Sequence, residues 1–503
     1  MLQYILVLLV IVLVVSAQRI KSKKLPKLHE EIKTQFSYIP FIGHAHHFFG
    51  SSEDRMNRLK ELAYQAYKNK HGIVNVWLGN TLYYGISDPE AAKLLLKSYL
   101  DKGPLSRLAH HLIGDGSIFS SVDTWRHRRR ILCHATASKH TNNFMEIFER
   151  NSNVLVQQLA RVAGKGDVSC FDFVYSCSLN SSCETEFGEC VQENSEHTFR
   201  QAFIEYYNNL SVRPFQFWLH NDAVYRWMPV YRKQVKARNI IHDFVTKLIQ
   251  RRKNALKSTH QENHKLIYFD AKGNNKTESY TELLMKYSGG DKGYSDTELL
   301  EESLMMLMAS TDTSTIAICF TLILLSQYRD VQEKIYKEIH SVVGDSGRIT
   351  LNDINKLEYL DAVIKESLRL YPPVPVIIRY SDKDFELPSG LQVCKGDHLV
   401  IHIWGIHRNP QYWGKDAEEF QPERFLNVTP QQLYAFIPFS YGTRNCAGVR
   451  HAMIFLKTTL ANIIHKYHIE PPTSYECENP LRVKFVVTMK HVHDYKLQMR
   501  SRV

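Results

Sequence analysis

From Leu304 to Leu325 the stretch "ELLEESLMMLMASTDTSTIAICFTLILLSQY" (298–328) is apolar on nearly every face of a helix. A helix with no polar face is stable only when protein or lipid surrounds it. Asp312, with Ser310, Thr311, Thr313, Ser314 and Thr315 around it, counts against lipid, because an ionisable group at bilayer depth is costly. That leaves a buried core helix sheathed by other elements, which takes a large domain. The 503 residues, 44% of them apolar, are enough for one. A carboxyl in such a helix needs partners or water, and an unpaired one would have its pKa raised by desolvation. Asp312 is therefore a candidate for handling protons. The plainer reading of the same residue is an Asp satisfied within a core hydrogen-bond network.

Elsewhere the pattern is mainly helical, most continuously from 140 to 255. One β-hairpin signal stands out: "GIVNVWLGNTLYYGISD" (72–88) alternates apolar and polar residues around Gly79-Asn80. Ser87-x-x-Glu90, with Pro89 between them, reads as the cap of the next helix. The polar stretch 257–282 reads as an exposed loop, and no internal repeat or low-complexity tract is present. The reading is a mainly α fold with a small β-sheet region.

At the amino end, residues 2–17 are almost entirely apolar and are followed by Arg19, Lys21, Lys23, Lys24 and Lys27. No basic n-region precedes them, which favours a membrane anchor over a cleaved signal peptide, with the basic flank in the cytosol. The expected division is an anchor at 1–18, a basic linker at 19–40 and a catalytic domain at 41–503. The sequons at Asn180, Asn209, Asn275 and Asn427 would then carry no glycan. Nine cysteines without regular short spacings argue against a secreted disulfide framework. Cys170, Cys177, Cys183 and Cys190 suit successive turns of buried helix better than a zinc site. The net charge of +11 comes with no nucleic-acid module, so nucleic acid is discounted. His44, His46, His47, His110 and His111 form no acceptable metal-ligand set.

The chemistry-bearing motifs lie in the second half of the chain, with one exception. Glu366 and Arg369 stand one helical turn apart before Pro372-Pro373, and "QPERFL" places Arg424 where it could join them. "WRHRRR" (125–130) is the exception; its bland reading is a solvated basic face, expected above all of Arg126, Arg128 and Arg130. "FSYGTRNCAGVRHA" (439–452) sets Cys446 in a tight turn ahead of an apolar helix. Its pattern Phe439-x-x-Gly442-x-Arg444-x-Cys446-x-Gly448 would arise by chance with odds on the order of 10⁻⁴ in a chain of this length.

These motifs, in this order, make the chain resemble the cytochrome P450 family of haem-thiolate monooxygenases over essentially its whole length. Among them it looks most like the microsomal insect-type relatives of the fatty-acid ω-hydroxylases. The resemblance implies the cytochrome P450 fold, preceded by one N-terminal transmembrane helix. It implies haem b held non-covalently, because Ala309 stands where many ω-hydroxylases carry a haem-esterifying glutamate. Cys446 is implied as the axial thiolate and metal ligand. A thiolate needs N–H donors and a helix N-terminus to stay deprotonated, and its donation favours O–O cleavage. Phe439 would shield the sulfur, and Gly448 would let the backbone approach the macrocycle. Trp125, Arg129, Arg379 and Arg444 are implied partners of the haem propionates. Glu366, Arg369 and Arg424 are implied as a structural triad, and Asp312 and Thr313 as the acid–alcohol pair that delivers protons.

One departure is Ser310, where the family usually has a glycine that opens the helix. Substrate contacts are expected from about 103–120, from 205–225, and from Met305, Met308 and Ala309. No flavin or nicotinamide motif is visible, so electrons from NADPH would come through a separate cytochrome P450 reductase, with cytochrome b5 as an optional second donor. The implied function inserts one oxygen atom into a lipophilic small molecule (xenobiotic, fatty acid or hormone-like lipid) at the endoplasmic reticulum membrane, with the catalytic domain facing the cytosol. The alternatives are a haem-thiolate isomerase or dehydratase, which the Asp312–Thr313 pair argues against, and a non-catalytic haem-binding lipid carrier or sensor.

Overall fold

The central helix forms over Asp296–Gln327. A capping box starts it: Ser295 Oγ accepts from the Glu298 amide while the Glu298 carboxylate accepts from the Ser295 amide. A computed structural model describes residues 31–261, 277–344, 348–476 and 478–502. The amino-terminal run expected to span a membrane lies outside them. From Glu302 to Ser326 the central helix is buried at every position except Met306, Ala309, Ser310 and Thr313. It is long and apolar enough to cross a membrane, yet protein surrounds it, as Asp312 requires. Helices Cys170–Phe187, Pro229–Gln261, Glu358–Leu370 and Val449–Lys466 pack directly against it. Leu304, Leu307, Ile316, Ile318, Phe320 and Leu322 are fully buried. Each contributes roughly 1.5–3 kcal/mol of hydrophobic stabilisation.

The expected hairpin is present. Strands Ile73–Leu78 and Thr81–Ile86 pair antiparallel across Gly79-Asn80, with Gly79 at φ 60°. They belong to a four-stranded sheet in which Thr81–Ile86 runs parallel to His398–Ile401, and that strand pairs antiparallel with Ile377–Tyr380. This last strand carries Arg379. The helix after the hairpin, Pro89–Ser98, is capped by Asp88, whose carboxylate accepts from the Ala91 amide at 2.7 Å. Asp88 rather than Ser87 is the cap, because the Ser87 amide is committed to the Gly72 carbonyl and the helix starts at Pro89.

Three further small sheets complete the β structure: Val168–Ser169 with Lys496–Ser501 and Tyr467–Glu470, Phe385–Glu386 with Gln392–Val393, and the hairpin Val483–Val486 with Thr488–His491. The stretch read as a loop from 257 is helical to Gln261, and a new helix, Tyr280–Ser288, starts on a capping box of Ser279 and Glu282. Cys170, Cys177 and Cys183 are buried as expected; Cys190 is exposed, beyond the Gly188 cap that ends their helix.

Candidate functional site

The cysteine turn is built by its own backbone. The Cys446 amide donates to the Phe439 carbonyl at 3.0 Å, and the Asn445 amide donates to Gly442 O at 3.2 Å. Gly442 sits at φ 78°, where a Cβ would stand 2.9 Å from the Leu96 carbonyl oxygen, so neither the conformation nor the space admits a side chain. Gly448 is the N-cap residue of the helix Val449–Lys466. Its N–H donates to Cys446 Sγ at 3.3 Å, so the sulfur lies at the positive end of an eighteen-residue helix. Burial pushes the Cys446 thiol up against the pull of that N–H and of the Arg129 charge. The residue nevertheless keeps accessible surface. Depth combined with access describes an atom facing an interior cleft. Phe439, Ala447 and Gly448 are half-buried around it, and the nearest atom a Gly448 Cβ would meet is the sulfur itself, at 3.9 Å.

Beside this turn the structure gathers four cations. Arg129 donates to both the Asn445 carbonyl (2.9 Å) and its side-chain oxygen (2.7 Å), which fixes the turn to the helix Val122–Ala135. Arg444 donates to the Ser120 and Leu100 carbonyls and lies over the buried Trp125 ring, 5.1 Å from its centre. Among the described residues Arg379 donates only to its neighbour's carbonyl, Ile378 O. Lys102 is the fourth. Burial holds Arg444 at about 10 against the opposing pull of the Asp101 charge; Arg379 is also held at about 10, by burial and by the Arg444 charge. Lys102 falls well below its ordinary value through burial and the charges of Arg379, Arg444 and Arg129. Among the described residues none of the four forms an ion pair, and the Nε atoms of Arg379 and Arg444 are buried without an acceptor. Buried, like-charged and unsatisfied groups are expensive in isolation. An anion with at least two acceptor ends would relieve all of it, and two carboxylates on the edge of a planar group, the propionates of haem, meet that requirement.

On the central helix, the accessible residues Met306, Ala309, Ser310 and Thr313 fall at i, i+3, i+4 and i+7 and so form one strip. Thr313 Oγ1 donates to the Ala309 carbonyl at 2.7 Å. Ser310 Oγ donates to Ser182 Oγ at 2.8 Å, with the Leu307 carbonyl oxygen 3.3 Å away, so its hydroxyl ties the helix to a neighbour. Asp312 is 1% exposed and is partnered: Oδ2 accepts from Thr488 Oγ1 at 2.8 Å and Oδ1 from Lys490 Nζ at 3.1 Å. Met305 and Met308, expected at a pocket, lie in the core; Met306 is the methionine on the accessible strip.

Glu366, Arg369 and Arg424 do come together. Arg369 grips Glu366 bidentately (Nε–Oε2 2.7 Å, Nη2–Oε1 2.8 Å) and donates also to the carbonyls of His407, Ala417 and Glu419. Arg424 Nε lies 3.6 Å from Glu366 Oε1, and its Nη groups hold the Trp413 and Asp416 carbonyls. His407 extends the network: its Nδ1–H donates to the Arg369 carbonyl and its Nε2 accepts from the Ile437 amide, two residues before Phe439. Burial and the neighbouring guanidiniums push the ring down to about 3, so it stays neutral.

Arg128 also departs from the sequence reading, and Lys102 was missed by it. Arg128 is not on a solvated face: it is buried and ion-paired with Glu301 (2.8 Å) and Glu302 (3.4 Å), while Arg126 and Arg130 are exposed as expected. Its place one turn from Trp125 and Leu132 was the available signal. Lys102 carried no such signal, because the short elements around it meet Arg379 and Arg444 only through the tertiary fold.

The cytochrome P450 family model matches residues 35–497. Curated relatives include cytochrome P450 4d2 of Drosophila melanogaster, 31% identical over 86% of this chain and 87% of that protein. Cytochrome P450 4c21 of Blattella germanica is 31% identical over 85% and 86%. Cytochrome P450 4V2 of Homo sapiens is 30% identical over 86% and 83%.

Proposed function

Because this chain belongs to the cytochrome P450 family, we propose that Cys446, the four-cation cluster and the Asp312–Thr313 pair are the working parts of a membrane-anchored monooxygenase acting on a lipophilic small molecule. The protein is a cytochrome P450 monooxygenase, and its cofactor is haem b with a cysteine thiolate axial ligand. Bound in the cleft, haem supplies dioxygen binding and the O–O cleavage that thiolate donation favours. Cys446 provides that sulfur; a coordinated metal ion outweighs the burial that otherwise keeps the thiol protonated. Arg379, Arg444, Arg129 and Lys102 take the propionates. Trp125 backs Arg444 with its ring, and Phe439 and Gly448 shape the sulfur's surroundings. Glu366, Arg369 and Arg424 hold the proximal fold. Asp312 collects protons from the solvent side and Thr313 presents them to the open strip of the central helix.

The observation that carries this reading is the cluster of four buried or half-buried cations, unpaired and partly without acceptors, beside a cysteine held at a helix N-terminus. Attachment to the endoplasmic reticulum is supported by the apolar run at 2–17 with its basic flank. Exposed aromatic and aliphatic side chains support it too: Tyr38, Ile39 and Trp227 (89% exposed), and Phe49 and Trp218, whose rings lie 5.4 Å apart. Electrons come from NADPH through a separate reductase, with cytochrome b5 as a second donor. The test is the carbon monoxide difference spectrum of the reduced protein. Wild type gives the thiolate signature and Cys446→Ser loses it; a signature that survives the substitution removes Cys446 from the role. Oxygen-dependent product formation from a lipophilic panel, with reductase and NADPH, tests the reaction itself.

A further inference from the structure

Of the four cations beside the cysteine turn, only one can give up its charge. A guanidinium keeps its proton throughout the neutral pH range, whereas an ammonium sheds it readily when buried among like charges. That one is Lys102, and the chain leaves it no retreat. The carbonyl of its neighbour Asp101 accepts from the Tyr380 amide at 2.9 Å, which ties the segment to the strand that carries Arg379. Gly103, at φ 68°, lies flush on the same strand: a Cβ there would stand 2.7 Å from Tyr380 Cβ. On the other side the Leu100 carbonyl accepts from Arg444. Lys102 is thus fixed between two buried guanidiniums, itself half-buried, with its Nζ 5.4 Å from the centre of the Phe119 ring.

The charges around it come from each element that meets here: Arg379 from the strand Ile377–Tyr380, Arg444 from the cysteine turn, Arg129 from the helix Val122–Ala135, and Asp101 on its own segment. One oxygen of Asp101 is spent on the Gly103 amide at 2.7 Å, and its charge acts on Arg444. Three guanidiniums and one carboxylate leave two net positive charges, which the two carboxylates of haem would cancel. Burial and the three guanidiniums by themselves push the ammonium well below its ordinary value. Two carboxylates would remove that repulsion and give the ammonium an acceptor. We infer that Lys102 is a proton-linked partner of the cofactor, neutral in the haem-free protein and charged once the haem carboxylates lie among the arginines. The inference rests on the cofactor reading above.

A group that gains its proton on loading strengthens binding fully below its haem-free value, and that contribution is lost as the pH rises towards its haem-bound value. Haem is therefore held less tightly as the solution turns alkaline, by up to about tenfold per pH unit, the slope for one proton. Transfer of haem from the loaded, full-length protein to an excess of a haem scavenger, recorded from pH 7 to 9, reads that slope. Lys102→Arg, whose charge cannot leave, and Lys102→Met, which has none, bracket the wild type. Wild type moves from the behaviour of Lys102→Arg towards that of Lys102→Met as the pH rises, whereas a lysine with a fixed charge or a purely structural role gives parallel profiles. A second readout counts protons. In weak buffer at pH 8 with an indicator dye, transfer from wild type releases about one proton more than transfer from Lys102→Arg. Uptake by Cys446 is common to both and cancels. Lys102→Met gives the same difference and replaces Lys102→Arg if the longer side chain does not fit. Parallel profiles, or equal proton counts in wild type and variant, overturn the inference. With the carbon monoxide thiolate signature intact they overturn it alone, whereas a wild type without that signature overturns the cofactor reading as well.

Discussion

Two buried arginines on the two sides of the cysteine turn have opposite fates. Arg369 is fully buried and bonded through all three of its nitrogens, to one carboxylate and three carbonyls. Arg379 is 2% exposed, reaches one carbonyl, and has Arg444 for its charged neighbour. The first is a finished network, and a finished network holds a fold together. The second is unfinished, and in a native protein an unfinished buried cluster calls for a ligand. Equal burial thus separates structure from function once the partners are counted.

The harshest way to test the contrast is to break the finished side. Arg369→Met leaves Glu366 as a buried, poorly paired carboxylate and should cost about 3–5 kcal/mol. The loss should be similar with and without haem in thermal unfolding; a loss seen only in the haem-loaded form would make the triad part of the cofactor site. Acid should act on the same side. His407 is pushed down to about 3, and His402 and His451 to about 4, from an ordinary 6.5. The unfolded chain therefore takes up protons below pH 6.5 that the folded chain refuses, so stability is complete above pH 6.5 and falls as the pH drops towards 4. Arg379 and Arg444, each held at about 10, stay charged across that window. Melting temperatures recorded from pH 7 to 4 should decline steadily, and a flat profile would contradict the neutral His407 bridge.

The unfinished side should respond in the opposite sense. Arg379→Gln removes an unpaired buried charge, so the haem-free protein should be as stable as wild type or more so. Haem should be held more weakly by about 1.5–3 kcal/mol, the range for a hydrogen bond to a charged group. Transfer of haem to an excess of a haem scavenger measures the second effect, and unfolding of the haem-free protein the first. The smallest change is expected at Ser310→Gly, which removes the hydroxyl bond to Ser182 and adds a helix-interior glycine, each worth about 1 kcal/mol. Thermal unfolding should register that loss with the thiolate spectrum unchanged.

The finished side was largely legible in the sequence. Glu366 and Arg369 are one turn apart on a helix that must end at Pro372, and the cysteine turn carries its glycines and its following helix within ten residues. The central helix was legible for the same reason: its composition admits only burial. What escaped depended on contacts between distant segments. Asp312 meets Lys490 across 178 residues, and Lys102 meets Arg379 and Arg444 only after the mixed sheet has formed. No local period encodes either meeting. Asp88 and Arg128 are different: the residue before Pro89 and the helical face shared with Trp125 carry the information within a few residues.

His407 gives the two sides a common mechanical link. Its ring is held at one end by the peptide of Arg369 and at the other by the amide of Ile437, with no rotational freedom left. A rigid strut of this kind transmits displacement without damping. Repacking around Trp413, whose ring lies under the Arg369 guanidinium, would therefore be felt at Ile437 and at the turn that carries Cys446, so laboratory evolution aimed only at heat resistance would also disturb the setting of the sulfur.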